Sequence, residues 1–399
     1  MSAPPLPPHL DPRGRHRGRG STRSRARPIG RVIGSIISIG LLVAAGYYWA
    51  TFRNINNGLS RIAVAVGANP SGSKHDIDGT DQNILVVGND DRSTMTAAET
   101  KELGIKPDGG SLATDTMMIV HVPANGKKAT LISLPRDTVV DIPDGFRRNK
   151  LNSPYASAYV DARNAGKSTA QARLAGSDLL VKTITNLTGL TIDHYVQVDL
   201  LGFYRITKAI GGITVDLCKN VDDRVSTNRA TGEGGGSGFY MTAGKHTLNA
   251  AEALAFVRQR HHLAHGDLDR VKRQQYFLTA AFRSVASTGI LIKLNAVGNA
   301  LQRSLYFDNS LNLIDLAHQL ENLTANNIVG KTIPTATAGG EVTADPAKVQ
   351  QFVGTLIANT NSTAPKSTAP ADSSGPKSAA PSTPAPSKSA APIDSKCIY

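Results

Sequence analysis

The hydrophobic pattern separates a short apolar segment near the N-terminus from a long central region of mixed periodicity. Residues 32–52 form an uncharged run, VIGSIISIGLLVAAGYYWATF, long enough to cross a hydrocarbon core of about 30 Å as a helix. Arginines precede the run, so the positive-inside tendency predicts a cytoplasmic N-terminus and an extracytoplasmic remainder. A cleaved signal peptide is the alternative, but the run exceeds the usual length of its apolar core. We therefore expect a single-pass protein of the cell membrane.

Runs of apolar and β-branched residues predict buried strands in the central region. The clearest runs are residues 83–88, 115–122 and 129–134. The last two are separated by PANG, and the Asn125-Gly126 pair within it is a strong hairpin signal. The sequence therefore predicts two antiparallel strands here, preceded by a third.

Helical periodicity alternates with further strands towards the C-terminus. Residues 170–187 place apolar side chains on one helical face, and a short helix is expected between strands at 195–198 and 213–217. Further helices are expected from residue 249 and over 267–287. This order favours a single α/β domain, an α-β-α sandwich with a mixed central sheet, preceded by one transmembrane helix.

Composition sets the expected domain boundaries. Residues 53–82 are polar and contain glycine, which predicts a stalk, and the folded domain is expected over 83–358. Residues 359–399 consist mostly of Ser, Thr, Ala, Pro and Lys, a composition that predicts disorder. The formal net charge is +13, and eight arginines of the basic tail at 1–31 supply much of it. No aromatic residues interleave with them, so we expect a disordered topology signal and no nucleic-acid partner.

The chain has two cysteines, Cys218 and Cys397. Their exterior location favours oxidation, and their spacing does not suit a metal site. We expect them to form one disulfide that brings the C-terminal tail back to the domain.

Charged residues cluster where predicted strands end, which is where α/β sheets place ligands. The clusters are GNDDR at 88–92, TDT at 114–116, LPRDT at 134–138 with KLN at 150–152, and RQR at 258–260 with GDLDRVKRQQ at 266–275. Guanidinium groups suit phosphate oxygens, and carboxylates suit Mg²⁺. Together these residues predict a site for a pyrophosphate and a divalent cation; a solvated helix face is the alternative for the last cluster.

The ordered set NILVVGNDDR, TDTMMIVHV, LISLPRDT, KLNSPYA, HYVQVDLLGFYRITKAIGGITV and FVRQR with GDLDRVKRQQ resembles the LytR-CpsA-Psr family of cell-wall ligases over residues 83–287. The basic tail, single span and C-terminal tail resemble its actinobacterial members. The resemblance implies transfer of a glycopolymer from a polyprenyl-pyrophosphate carrier to a hydroxyl of peptidoglycan, with formation of a phosphodiester.

The resemblance also assigns roles to individual residues. Asp90 and Asp115 match the metal ligands, for Mg²⁺ or Mn²⁺, and Asp137 could orient its neighbouring arginine or act as a base. The positions expected to bind pyrophosphate are Arg136, Lys150, Arg258, Arg260, Arg270, Arg273 and Gln274. Asp90, Asp115, Arg136 and Asp137 form the expected catalytic set.

One position departs from the family pattern. Many members have an arginine two residues before the second metal-binding aspartate, where this chain has Ala113. The predicted phosphate site therefore has one positively charged side chain fewer, and Arg92 or Arg273 could compensate. This departure keeps a second hypothesis open, a non-catalytic binder or scaffold for prenyl-linked wall intermediates. An envelope-linked regulator is a third. The polymer and the oligomeric state are not specified by these residues.

Overall fold

The computed structural model describes residues 57–67, 80–104 except 94, 110–224, 236–259, 305–312, 327–361 and 397–398, together with scattered residues between 38 and 55 and between 269 and 323. The chain forms two compact units, 1–52 and 53–399. The few described residues of the first unit are helical, and Leu42 and Trp49 among them are exposed. None of the helices in the described part of the chain combines the length and apolar character needed to cross a bilayer. The predicted span at 32–52 lies largely outside the described residues, and the basic tail at 1–31 lies wholly outside them.

The second unit is a mixed α/β fold. Its strands are β1 Ser60–Ile62, β2 Gln82–Asp91, β3 Gly110–Val122, β4 Ala129–Ser133, β5 Thr138–Val140, β6 Asn149–Lys150, β7 His194–Val198, β8 Ile213–Leu217, β9 Val221–Asp222, β10 Tyr240–Met241, β11 Gly244–Leu248, β12 Leu305–Asp308, β13 Ile328–Thr332, β14 Ala336–Ala338 and β15 Glu341–Thr343. Its fully described helices are α1 Ala97–Leu103, α2 Pro154–Asn164, α3 Thr169–Thr188, α4 Leu200–Ile210, α5 Ala250–Arg258 and α6 Pro346–Asn361. The described residues between 269 and 284 are helical as well, within the helix expected over 267–287.

A seven-stranded sheet organises this unit, with strand order β1-β12-β7-β2-β3-β4-β13. β2 is parallel to β7 and antiparallel to β3, so the predicted mixed sheet is confirmed. Side chains of β2 alternate between two apolar clusters: Leu85 and Val87 pack with α3, whereas Ile84 packs on the opposite face with Leu131 of β4. Both faces of the central strands are therefore buried, and each fully buried aliphatic side chain contributes about 1.5–3 kcal/mol.

The folded unit extends beyond both predicted boundaries. β1 lies within the expected stalk at 53–82, yet it pairs in parallel with β12 at the edge of the sheet. At the other end, α6 continues to Asn361 and buries Val349 and Val353 against the α3 layer. A three-residue strand carries too little periodic signal to be recognised in the sequence, and its pairing partner lies more than 240 residues away.

The predicted hairpin between β3 and β4 is confirmed. Gly126 has a φ of 59° and donates its N–H to the carbonyl of Pro123 at 2.8 Å. A Cβ on Gly126 would lie 1.8 Å from the carbonyl oxygen of Gln319, so glycine is required for packing as well as for the turn.

The predicted disulfide between Cys218 and Cys397 is present, with the two Cα atoms 5.2 Å apart. Next to it, Ile398 donates its N–H to Asp216 O and accepts from Cys218 N, each at 2.8 Å. The Ile398 side chain is 7% exposed and belongs to the same apolar cluster as Leu217. The end of the chain therefore returns to the domain beside β8.

Candidate active site

A cavity of about 400 Å³ opens where the parallel strands β2 and β7 end. This is the edge at which α/β sheets bind ligands, because strand ends and the following loops diverge there. Its lining combines polar and apolar residues. The lining residues are Val86, Val87, Gly88, Asn89, Asp90, Arg92, Asp115, Thr116, Val198, Asp199, Leu200, Phe203, Gly236, Ser237, Val257 and Arg258.

A β-bulge brings Asp115 to this cavity. β2 and β3 pair regularly up to Gly88 opposite Thr116, but Asn89 then lies opposite Thr114, so Asp115 is an extra residue on β3. A bulge bends its strand and redirects the side chain of the extra residue. The sequence placed Asp115 at the start of a strand, whereas β3 begins five residues earlier and Asp115 lies within it.

The neighbouring Asp90 is fixed by a close backbone contact. Gly110, at the start of β3, has a φ of 66°, and a Cβ on it would lie 1.7 Å from the carbonyl oxygen of Asp90. Only glycine allows this approach. The two aspartates expected to act together therefore line one cavity, as their spacing on neighbouring strands predicted.

Each of these carboxylates is paired with an arginine. Arg92 donates to both oxygens of Asp90, at 2.8 Å from Nε and 2.5 Å from Nη2. Arg136 donates from Nη1 to Asp115 Oδ1 at 2.5 Å. Because the pairs border an open cavity, they are accessible to exchange with an anionic ligand and a cation.

Arg136 begins a second group of charges behind Asp115. Its Nε lies 3.4 Å from Asp137 Oδ2, and Lys150 Nζ donates to Asp137 Oδ1 at 2.9 Å. Pairing of β5 with β6 brings Lys150 to this position. The structure thus joins Arg136, Asp137 and Lys150, as predicted, but none of the three lines the cavity itself. The Lys150 side chain is half exposed and marks the outer side of the group.

The remaining residues predicted to bind pyrophosphate fall into three groups. Arg258 ends α5, is exposed and lines the cavity. Arg273 is only 2% exposed: its guanidinium donates to Gln259 Oε1 and lies 5.0 Å from the centroid of the Phe256 ring. Burial lowers the pKa of Arg273 to about 10. Arg273 therefore lies in the interior and does not line the cavity, so its predicted contact with pyrophosphate is wrong. Arg260, Arg270 and Gln274 fall outside the described residues.

Ala113 is partly exposed and lies two residues before Asp115. Of the two arginines that could replace the missing cation, Arg92 lines the cavity and Arg273 does not. Arg92 is therefore the residue in position to compensate.

Two residues of the cavity, Asn89 and Asp199, are not among the predicted site residues. Asn89 is 5% exposed, and neither polar atom of its amide has a hydrogen-bond partner among the residues that the structure describes. Such an orphan amide is unfavourable unless a ligand satisfies it.

Asp199 caps α4, with Oδ1 accepting from Gly202 N at 2.5 Å. Burial raises the pKa of Asp199 to about 6. Its position before the apolar run LLGF was a recognisable N-cap signal, but nothing local indicated the cavity.

The donor set fits a magnesium ion. Asp90 and Asp115 offer carboxylate oxygens to the same cavity, and Mg²⁺ is usually held by one or two carboxylates together with substrate phosphates and water. Within the described residues, no three His, Cys, Asp or Glu side chains converge on one point. The protein would therefore hold the ion through these two aspartates, and the substrate would complete its shell.

The chain matches the LytR_cpsA_psr family over residues 52–364. It is 37% identical over 276 residues to the cell wall biosynthesis protein LcpA of Corynebacterium glutamicum, covering 65% of this chain and 51% of LcpA. The chain thus spans about half the length of that relative. It is 31% identical over 253 residues to the polyisoprenyl-teichoic acid–peptidoglycan teichoic acid transferase TagU of Oceanobacillus iheyensis, covering 62% of this chain and 67% of TagU.

The fold has a counterpart among solved structures. The crystal structure of B. subtilis TagV matches with a TM-score of 0.52 and 22% identity, covering 72% of this chain and all of TagV. The family match includes every residue that lines the cavity. On this extent of sequence and on the mixed sheet that carries the site, the chain belongs to the LytR-CpsA-Psr family.

Proposed function

We propose that this protein is a phosphotransferase that moves a glycopolymer from a polyprenyl-pyrophosphate carrier to a hydroxyl group of peptidoglycan, forming a phosphodiester. The observation that carries the proposal is the cavity, which is lined both by charged residues and by apolar ones. The charged residues are Asp90, Asp115, Arg92 and Arg258. The names of LcpA and TagU support a role in wall assembly and in transfer of a wall polymer.

The polar residues of the cavity suit a pyrophosphate. Arg92 and Arg258 line it directly, and Arg136 is one contact away through Asp115. Guanidinium forks bind phosphate oxygens in a bidentate manner, and Asn89 offers an amide N–H₂ to the same ligand. A bound pyrophosphate can take the arginines while a cation takes the aspartates, which leaves no charge unpaired.

Asp90 and Asp115 would hold Mg²⁺, or Mn²⁺, which would neutralise part of the pyrophosphate charge and so assist departure of the prenyl phosphate. The arginines would stabilise negative charge that develops on the leaving phosphate. Asp137 and Lys150 would position Arg136 from behind, since both lie in its charge group.

The apolar residues of the cavity suit the first isoprene units of the carrier. Val86, Leu200, Phe203 and Val257 lie on the same cavity as the aspartates. Burial of apolar surface provides affinity for a prenyl chain without competing for the phosphate groups. A carrier of this kind resides in a membrane, so we further propose that residues 32–52 anchor the protein with its domain on the extracytoplasmic side.

The direct test is reconstitution with the full-length protein in detergent. The donor is a polyprenyl-pyrophosphate-linked oligosaccharide, the acceptor is a soluble peptidoglycan fragment, and Mg²⁺ is titrated against an EDTA control. We expect release of polyprenyl monophosphate in step with a phosphodiester-linked product, both measured by mass spectrometry. Arg258→Ala should lose most of this activity, and Lys245→Ala, a charge change in β11 away from the cavity lining, is the matched control.

Two results would contradict the proposal. Tight donor binding without turnover would favour the scaffold. Full transfer by the wild-type protein in EDTA would show that the reaction needs no metal ion. Asp90 and Asp115 would then serve only as ion-pair partners of the arginines.

A further inference from the structure

We propose that Asp199 is the general base that removes the proton from the attacking hydroxyl group of the acceptor. The inference rests on the proposed function, because it assigns a residue to the transfer reaction. Among the residues that the structure describes, three carboxylates line the cavity: Asp90, Asp115 and Asp199.

Asp199 differs from the other two in its contacts. Asp90 gives both oxygens to Arg92, and Asp115 gives one to Arg136; in the proposed reaction these oxygens also serve the cation. Asp199 Oδ1 accepts the N–H of Gly202, and no other hydrogen bond or ion pair reaches this carboxylate in the described part of the chain. Its second oxygen, Oδ2, is not fully enclosed, although the residue is only 5% exposed, and the residue lines the cavity. A base requires such an accessible lone pair within reach of the substrate.

The backbone holds this carboxylate in place. β7 ends at Val198, which pairs with Gly88 of β2, and Asp199 follows as the N-cap of α4. The hydrogen bond to Gly202 fixes Oδ1, so Oδ2 cannot rotate away without breaking the cap. The base is thereby held where β7 ends, beside the strand that carries Asp90, and both residues line the cavity.

Its surroundings favour proton exchange near neutral pH. Burial raises the pKa of Asp199 to about 6, against the lowering effect of the Gly202 N–H. Among the described residues, the charged and titratable groups that act on it include Asp91 of β2, Arg205 of α4, Arg173 of α3 and Tyr306 of β12. The charged residues Asp90, Arg92, Asp115 and Arg258 line the same cavity. Asp91 raises the pKa of Asp199, and the two arginines lower it. A carboxylate with a pKa in this range is ionised at neutral pH and accepts a proton more readily than a surface aspartate does.

The step is balanced. The acceptor oxygen forms a bond to the phosphorus that carries the glycopolymer, and the bond from that phosphorus to the bridging oxygen breaks. The leaving polyprenyl phosphate keeps the electron pair of the broken bond. The hydroxyl proton passes to Asp199 Oδ2, and solvent removes it before the next turnover.

The test compares three variants of the full-length protein in the reconstituted transfer assay. Asp199→Asn and Asp199→Ser both retain a side chain that caps α4 well, so neither removes the helix start. The matched control is Asp193→Asn, another partly buried aspartate that accepts a backbone N–H, from Asn83 at 2.8 Å, and does not line the cavity. The measurements are kcat, the KM of each substrate and the pH profile of kcat.

We expect both Asp199 variants to lose about 10²- to 10⁴-fold in kcat with the donor KM nearly unchanged. The acidic limb of the wild-type profile, near pH 6, should disappear from their residual activity, and Asp193→Asn should retain the wild-type rate. A kcat within about threefold of wild type for either Asp199 variant would overturn the assignment. So would an acidic limb that persists in both. A wild-type protein that binds donor without turnover would overturn the transferase proposal itself, and this is seen before any variant is compared.

Discussion

Asp90 and Asp91 are consecutive residues of β2, both are paired with an arginine, and they lie in opposite environments. Asp90 lines the cavity and pairs with Arg92, two residues along the chain. Asp91 is 8% exposed and pairs with Arg173 of α3, whose guanidinium lies 4.4 Å from the centroid of the Tyr306 ring. Arg173 also donates to the hydroxyl of Tyr306.

The same kind of ion pair, an aspartate with an arginine, serves two purposes in this protein. At the cavity, water or a ligand can replace either partner, so the pair is available for function. On the enclosed side, loss of one partner leaves the other charge without compensation in a poorly solvated place. Access to the cavity decides the difference, because Asp90 and Arg92 line it and Asp91 and Arg173 do not, although the two arginine side chains are similarly exposed, at 14% and 17%.

The largest expected effect is on catalysis at the cavity side. Asp90→Asn should lower the rate of transfer by about 10²-fold or more, because it removes a carboxylate that would hold the cation. The free energy of unfolding should change less than in Asp91→Asn, because Arg92 lines an open cavity, where water can solvate the charge that is left. Transfer rates across a Mg²⁺ titration and denaturant unfolding of the full-length protein in detergent check the two parts. A collapse of stability along with activity would make Asp90 a structural residue like Asp91.

Substitution in the Asp91–Arg173 pair should change the stability of the protein. Asp91→Asn should lower the free energy of unfolding by about 2–3 kcal/mol, because Arg173 keeps its charge against the Tyr306 ring and away from the cavity. The double variant Asp91→Asn with Arg173→Met should recover much of this loss, since no unpaired charge remains. Denaturant unfolding of the two proteins measures the difference. An equal loss in both would show that packing of Arg173 over Tyr306, rather than charge, stabilises this side.

Asp199 allows the effect of burial to be tested through pH. Its pKa is raised from 3.8 to about 6, so the folded protein holds this proton over a range in which the unfolded chain has lost it. Ionised Asp199 therefore destabilises the fold as pH rises from about 4 to 6, by at most roughly 3 kcal/mol. Asp199→Asn should be more stable than wild type at pH 7 and nearly equal at pH 4. Unfolding curves at intervals of half a pH unit reveal the trend, and a constant difference would contradict it.

The smallest effect is expected at Ala113. Ala113→Arg would add a cation two residues from Asp115 and should lower the donor KM about threefold, or roughly 0.7 kcal/mol. Ala113→Gln controls for side-chain length. The salt dependence of the donor KM separates the two, because only the added charge is screened. If Arg and Gln act alike, Arg92 already supplies the cation that this position lacks.

Local signals account for most of the elements. The runs at 83–88 and 129–134 and the periodicity over 170–187 correspond to β2, β4 and α3 within a few residues. Hydrophobic periodicity reflects burial of a face, and each face is encoded within the element itself. The strand at Ser60–Ile62 was missed because its stability comes from pairing with β12.

Periodicity, residue counts and ordered motifs were enough to predict the mixed α/β fold, the pairing of the two cysteines and two of the aspartates that line the cavity, Asp90 and Asp115. Which charges meet depends on the tertiary structure, as does the third aspartate, Asp199. The bulge that presents Asp115, the burial of Arg273, and the separation of Asp90 from Asp91 depend on strand register and on packing between distant segments. A side chain acquires its partner and its access to solvent from those long-range contacts, and no local pattern encodes them.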